Sequence, residues 1–195
     1  ASDVYKRQVD DILTDNNAAS RFFTENPGLS HDKIVLYLPT FRERDAYIAE
    51  QLKVEFRDVD GYRLIISAHP LFSKIKIENE FSYSGDFSTY DLMKIADVII
   101  TDYSACAFEA SVLMKPLYFF VPDYDEYSSE RGINVDLKNE MPSATFENAE
   151  ELVNAIKLNN YDFDMLYKFK CEYVENTKAN NAEILAKFVS MLLKA

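Results

Sequence analysis

The chain has 195 residues, 48% of them hydrophobic, which fits one folded domain with an appended segment. Its 33 acidic residues outnumber its 21 lysines and arginines, and the formal charge of −12 argues against binding to nucleic acid or to anionic lipid surfaces. The 2 cysteines lie in unrelated contexts with no histidine nearby, so we expect neither a disulfide framework nor a bound metal. We also expect no cofactor, because the chain has too few glycines for a dinucleotide fingerprint.

Targeting and membrane signals do not appear in the sequence. No apolar run approaches the roughly 18 residues that a membrane span requires, and the N-terminal region lacks the apolar core of a signal peptide. These observations predict a cytoplasmic location. Residues 1–8 resemble translated adaptor sequence, and we interpret them as a non-native leader without structural weight.

Strand and helix patterns alternate along the chain. Short apolar or β-branched runs predict strands, and apolar side chains three or four residues apart predict helices. The predicted strands cover residues 34–38, 62–67, 97–101 and 117–121, with a weak strand at 81–84, and the predicted helices cover 10–25, 46–56, 89–95, 105–114, 147–158 and 182–193. Ser88 and Asp91 have the spacing of a capping box. This alternation favours a mainly parallel sheet with helices on both faces.

Polar side chains follow four of the predicted strands, and Asp123 is the one that follows the strand at 117–121. Thr40 and Arg42 follow the first strand, and His69 follows the second, where the pre-proline position keeps its backbone extended. Asp102 and Ser104 follow the strand at 97–101. Ligands of such folds bind at the carboxyl ends of the strands, so these side chains are candidates for lining one cleft.

The segment after the strand at 97–101 has the features of an anion site. A helix N-terminus presents unpaired N–H groups and the positive end of the helix dipole, and small residues after Ser104, beginning with Ala105, would let a phosphate approach those groups. This pattern indicates phosphate or nucleotide binding. It also fits an ordinary strand-to-helix turn that is capped by Asp102 or Ser104.

Several kinds of chemistry are excluded by missing motifs. With only 4 glycines, the chain contains neither a dinucleotide fingerprint nor a Walker loop, and no serine lies in a Gly-x-Ser-x-Gly elbow. His69 could donate a proton or a hydrogen bond to a departing phosphate oxygen, and the planar guanidinium of Arg42 suits a diphosphate. Each residue also has an ordinary interpretation, as a structural histidine and as a partner in a surface ion pair.

Six motifs occur in order along the chain. They are Tyr37-Leu-Pro-Thr-Phe-Arg42, Ala68-His-Pro70, Asp91-Leu-Met-x-x-Ala-Asp-Val-Ile-Ile-Thr-Asp-Tyr-Ser104, Lys115-Pro116, Asp123 and Arg131-Gly132. Together they resemble the CDP-glycerol glycerophosphotransferase family of teichoic-acid enzymes. The resemblance implies a GT-B architecture, of which this chain would be the C-terminal, Rossmann-like half. It also implies transfer of glycerol phosphate from CDP-glycerol to a lipid-linked or polymer acceptor at the inner membrane face, with release of CMP.

The resemblance implies roles for particular residues. His69 matches the essential histidine of the His-Pro motif and would stabilise the pyrophosphate leaving group. The implied donor-binding residues are Thr40, Arg42, Asp102, Tyr103, Ser104, Ala105, Glu109 and Arg131. The family usually has serine where Ala105 stands and aspartate where Glu109 stands. The first difference removes a possible phosphate contact, and the second changes the fit to a ribose or glycerol hydroxyl.

The resemblance also implies a division of the chain. Residues 9–30 would form an inter-domain connector helix, 31–178 the donor-binding domain, and 179–195 a C-terminal amphipathic helix that packs on its own domain or across onto another. The partners would be a CDP-activated polyol phosphate donor and an acceptor. An N-terminal domain outside this sequence would hold the acceptor and make the membrane contact.

Three alternatives to this function remain open. A nucleotide-sugar glycosyltransferase of the same fold would use a different donor. A phospho-receiver module would accept a phosphoryl group on Asp102, although the residues after the first strand have the wrong charge for the magnesium ion that such a module needs. A folded scaffold without a site is the third alternative.

Overall fold

The computed structural model describes residues 10–14, 17–40, 44–67, 75–174 and 181–192. In this part of the chain, five parallel strands form one sheet with the order β2-β1-β3-β4-β5. The strands are β1 (Lys33–Tyr37), β2 (Tyr62–Ile66), β3 (Val98–Thr101), β4 (Leu117–Phe120) and β5 (Thr145–Phe146). A parallel sheet was predicted, and the structure confirms it.

Helices connect and cover the strands. They are α1 (Ala18–Glu25), α2 (Asp45–Phe56), α3 (Thr89–Ile95), α4 (Cys106–Val112), α5 (Tyr124–Arg131), α6 (Leu137–Glu140), α7 (Ala149–Leu158), α8 (Phe163–Tyr173) and α9 (Asn181–Leu192). Short 3₁₀ turns lie at Pro27–Leu29, Asn79–Phe81 and Pro142–Ala144. No helix in the described ranges combines the length and the apolar character needed to cross a membrane.

The core lies between the sheet and its helices. Strands β3 and β4 are buried along their whole length, as expected for parallel strands covered on both faces. Helix α2 packs against α7, α4 against α8, and α1 against α3. Because α2 and α4 connect their strands in opposite directions along the sheet, right-handed crossovers place these two helices on opposite faces.

Strand order reverses between β1 and β3. The connection from β1 leads to β2 on one side, and the connection from β3 leads to β4 on the other. In open parallel sheets, the crevice at the carboxyl ends of two such strands is where ligands bind. The loops after β1 and β3 therefore define the place to look for a site.

Polar side chains fix the two ends of helix α3. Ser88 and Asp91 form the predicted capping box at its start, so this prediction is confirmed. At its end, the Lys115 ammonium donates to the backbone carbonyls of Met93, Lys94 and Ala96. Burial lowers the pKa of Lys115. The lysine thus satisfies carbonyls that the helix itself leaves unpaired.

Two predicted elements are wrong. The weak strand at 81–84 is not formed, because the side chain of Asn26 bonds both to the backbone carbonyl of Ser84, at 3.0 Å, and to its N–H, at 2.6 Å. These bonds replace the ladder that a neighbouring strand would supply. The predicted helix at 10–25 is interrupted, since Asn17 adopts the left-handed region, with φ of 56°, directly before α1.

Helix α9 occupies most of the predicted C-terminal helix. The side chains of its main apolar residues (Ile184, Leu185, Phe188 and Leu192) lie outside the described residues. The surface that they contact, and with it the division of the chain into connector, domain and C-terminal helix, stays a prediction.

Candidate functional site

Asp102 and Thr40 join the loops that follow β3 and β1. The Asp102 carboxylate is almost fully buried, with 1% exposure, and it accepts hydrogen bonds from the Thr40 N–H at 3.0 and 3.1 Å and from the Thr40 hydroxyl at 2.5 Å. Next to this pair, the Thr101 hydroxyl donates to the Leu38 carbonyl at 2.9 Å. Charge-assisted bonds of this kind are short and strong, so they hold the two strand ends at a fixed separation.

Ser104 and Ala105 form the turn from β3 into helix α4. The Ser104 hydroxyl accepts from the Cys106 N–H at 3.3 Å, and its carbonyl accepts from the Ala107 N–H at 3.1 Å. Ala105 is the N-cap residue, and it is exposed. Ser104 thus accepts hydrogen bonds from two N–H groups at the start of α4, and the side chains of Ser104 and Ala105 at this turn are small.

Tyr103 links this turn to helix α5. Its hydroxyl donates to the Asp123 carboxylate at 3.1 Å, and its ring stacks on the Tyr127 ring with 3.8 Å between centroids and 10° between planes. Asp123 is the N-cap residue of α5, although its carboxylate accepts from Tyr103 instead of capping the helix. The Arg131 guanidinium lies 5.7 Å from the centre of the Tyr127 ring.

A cavity of about 180 Å³ opens between this turn and the chain after α5. Its polar side is formed by Asp102, Tyr103 and Ser104. The other lining residues are Ala105, Ala107, Phe108, Phe119, Tyr127, Gly132, Ile133, Asn134, Val135, Leu137 and Phe169. Pockets for drug-sized ligands usually have about 300–1,000 Å³, so this cavity suits part of a nucleotide.

Glu109 lies outside the lining of the cavity. The residue is 5% exposed, and its Oε2 atom has no hydrogen-bond partner among the described residues. Burial raises the pKa of this carboxyl to about 7, because the charged form loses its hydration. Burial likewise raises the pKa of the Cys106 thiol, one turn earlier in α4.

The structure brings together some of the predicted site residues. Asp102, Tyr103, Ser104 and Ala105 line one cavity, and Thr40 adjoins it through Asp102. Arg131 is exposed near its rim, next to Gly132. Arg42 and His69 fall outside the described residues, and their roles stay predictions. Within the described ranges, no three His, Cys, Asp or Glu side chains are grouped so that they could hold a metal ion.

Sequence reasoning missed the far wall of the cavity. Tyr127, the segment 133–135 and Phe169 were not predicted as site residues, although all of them line it. The sequence feature that could have indicated this wall is the tyrosine-rich segment before the Arg131-Gly132 motif. Its helix escaped prediction because, within α5, Tyr124 is the only buried residue and no apolar period exists to be detected.

Comparison with known proteins places this geometry in a family. Residues 8–191 match the family described as CDP-glycerol:poly(glycerophosphate) glycerophosphotransferase. A teichoic acid ribitol-phosphate primase of Bacillus spizizenii is 32% identical over 88% of this chain and 47% of its own length. A teichoic acid glycerol-phosphate primase of Bacillus subtilis is 29% identical over 85% of this chain and 45% of its own.

Solved structures show the same fold. The wall teichoic acid polymerase TagF superposes with a TM-score of 0.68 and 21% identity, covering 99% of this chain and 50% of TagF. A histidine variant of TagF that was soaked with CDPG gives a TM-score of 0.69 over 96% of this chain. These matches confirm the predicted α/β fold of GT-B type.

The chain spans about half the length of the relatives and the structures that it matches. The family match covers nearly all of the present sequence, including every motif on which the resemblance was based. The chain therefore belongs to the CDP-glycerol:poly(glycerophosphate) glycerophosphotransferase family.

Proposed function

We propose that this chain is the donor-binding half of a transferase that moves glycerol phosphate from CDP-glycerol to a teichoic-acid or related cell-surface polymer. The observation that carries the proposal is the cavity lined by Asp102, Tyr103 and Ser104, which belong to the loop after β3 that borders the reversal of strand order, in a chain of this family. The names of the relatives, which are teichoic acid primases and polymerases, support it.

The donor would lie with its diphosphate at the start of helix α4. There the helix dipole and the small side chains of Ser104 and Ala105 favour an anion, which would compete with Ser104 for the N–H groups of Cys106 and Ala107. The apolar side of the cavity, which includes Phe108, Phe119 and Phe169, would take the flat face of the base. Thr40 and Asp102 would not bind the phosphates themselves but would hold the two loops around them.

The reaction would follow from that placement. A hydroxyl of the acceptor attacks the phosphorus that bears glycerol, the bond from that phosphorus to the bridging oxygen breaks, and CMP leaves. Negative charge develops on the departing oxygen, where His69 would donate a proton or a hydrogen bond and Arg42 would bind the diphosphate through its planar guanidinium. The acceptor hydroxyl loses its proton as the new bond forms.

The rest of the protein would complete the active site. A cavity of about 180 Å³ encloses only part of a CDP-alcohol, so the acceptor and the glycerol end of the donor would bind against another domain. We place the donor domain at 31–178, with 9–30 as a connector and 179–195 as a C-terminal helix. We further propose that the whole protein works on the inner face of the membrane, which it would contact through the other domain.

CDP-ribitol is a second candidate donor, because the relative with 32% identity is named as a ribitol-phosphate primase. The test is isothermal titration of the chain with CDP-glycerol, CDP-ribitol and UDP-N-acetylglucosamine. We expect saturable binding that prefers a CDP donor and weakens about tenfold in His69→Ala, a loss of about 1.4 kcal/mol.

The chain offers a matched control, because its only other histidine, His31, is exposed. The variant His31→Ala should bind the donor like the wild type. Preference for the UDP-sugar would instead favour the glycosyltransferase alternative. A stable acyl phosphate on Asp102 after incubation with acetyl phosphate and magnesium would favour the phospho-receiver alternative. Absence of any preference for a CDP donor would contradict the proposal.

A further inference from the structure

The Tyr103 side chain attaches helix α5 to the candidate phosphate turn. The Tyr103 hydroxyl bonds to Asp123 at the start of α5, and its ring stacks on Tyr127 one turn later. The ring of Tyr124 also lies against it, with 6.4 Å between centroids. These contacts join an element at the edge of the sheet to the loop at its centre.

The far wall of the cavity follows directly from α5. The helix ends at Gly132, whose φ of 75° is a conformation that glycine adopts readily, and the chain then runs through 133–135 along the cavity. Beyond this wall, the Tyr124 hydroxyl donates to Asp136 at 3.1 Å. Helix α5 and the wall are therefore connected to each other at both ends.

Helix α5 also contacts other elements, since the Lys138 ammonium of α6 lies 4.2 Å from the centre of the Tyr124 ring and one ion pair lies at the surface. The Arg44 guanidinium donates to Glu126, and both side chains are about half exposed. Ion pairs in that setting contribute little to holding an element in place. The parallel rings of Tyr103 and Tyr127, both partly buried, are the contact best suited to fix the distance between the turn and the wall.

We propose that Tyr127 is a positioning residue for the donor, acting through Tyr103 and the wall at 133–135. Stacking of the two rings holds the wall at the distance from Ser104 that a CDP-alcohol fits. The inference rests on the proposed function, because it names the ligand of the same cavity. In this proposal the aromatic ring of Tyr127 positions the wall, so phenylalanine at this position should preserve donor binding and a branched aliphatic side chain should not.

The test compares Tyr127→Phe, Tyr127→Leu and Tyr127→Ala by isothermal titration with CDP-glycerol and with CDP-ribitol. We expect Tyr127→Phe to bind within about twofold of the wild type, and the leucine and alanine variants to bind about tenfold more weakly. Tyr47→Ala is the control, since Tyr47 is 69% exposed on α2. Thermal unfolding of every variant separates loss of the wall position from loss of the fold.

The outcomes distinguish the two proposals. Weaker binding in the leucine variant, at an unfolding temperature equal to that of the phenylalanine variant, supports positioning by the ring. Binding like the wild type in both Tyr127→Leu and Tyr127→Ala overturns the role of Tyr127 while leaving the donor proposal in place. If the donor affinity of the Tyr127 variants falls only as far as their unfolding temperature falls, the role of Tyr127 is also overturned. A wild-type chain that binds neither CDP-alcohol overturns both proposals.

Discussion

Replacing Glu109 with glutamine should remove a pH dependence from the stability of this chain. The Glu109 carboxyl is buried in helix α4, and its Oε2 atom has no hydrogen-bond partner among the described residues. Its pKa is raised from 4.5 to about 7, because burial penalises the charged form. Glutamine has nearly the same shape and does not ionise, so it isolates the effect of the charge.

The sign and size of the effect follow from linkage. Between pH 4.5 and about 7 the folded chain holds a proton on Glu109 that the unfolded chain has released. Its contribution to the free energy of unfolding therefore falls as the pH rises through this window and stays constant above it. A pKa difference of this size corresponds to about 3 kcal/mol at 1.36 kcal/mol per pH unit.

The assay is urea unfolding of the wild type and of Glu109→Gln at pH 5 and at pH 8. We expect the free energy of unfolding of the variant, relative to that of the wild type, to be about 2–3 kcal/mol larger at pH 8 than at pH 5. Glu150→Gln, at an exposed position on α7, is the control and should show no such change. A relative stability that is equal at both pH values to within about 0.5 kcal/mol would refute the reasoning.

Two further substitutions test the connections around the site. Lys115→Met leaves three carbonyls at the end of α3 without their donor, and we expect it to lower the free energy of unfolding by about 2–4 kcal/mol in urea, whereas Lys157→Met, at an exposed position, should change it little. Asp102→Asn cannot accept from both the N–H and the hydroxyl of Thr40 as well as the carboxylate does. We expect it to lower the free energy of unfolding by about 1–3 kcal/mol and to weaken CDP-glycerol binding in titration, unlike the exposed variant Asp164→Asn. Wild-type binding by Asp102→Asn would contradict the role given to that carboxylate.

Strands and helices could be predicted where their buried side chains form a recognisable apolar pattern in the sequence. Strands β3 and β4 are covered on both faces and show continuous apolar runs, and α2 shows apolar side chains four residues apart. Helix α5 shows neither pattern, because its contacts with Tyr103 and Lys138 are made by single aromatic side chains and not by an apolar face. Its contacts come from elsewhere in the chain, and no local pattern records them.

The candidate site was predictable in position more than in detail. Spacing put Thr40 and Asp102 at the ends of two strands, and parallel pairing of β1 with β3 makes those ends neighbours. The spacing could not show that Thr40 donates hydrogen bonds to the Asp102 carboxylate, because these bonds depend on the conformations of the two loops. Nor could it show that Glu109 faces the interior, since a helix of seven residues has too few turns to reveal its buried face.

Under the proposed function, an acidic chain binds an anionic diphosphate, so its own carboxylates must not repel the ligand. Near the candidate turn, Asp102 accepts from Thr40 and Asp123 accepts from Tyr103, so both charges are stabilised by neutral donors on the protein. Glu109 lies one turn after Cys106, and its pKa is raised to about 7. Its side chain therefore stays mostly protonated and uncharged at a pH below that value. Because a nearby diphosphate would raise that pKa further, donor binding and proton uptake by Glu109 should be linked. Donor affinity should therefore fall as the pH rises through 7 in the wild type and change less in Glu109→Gln.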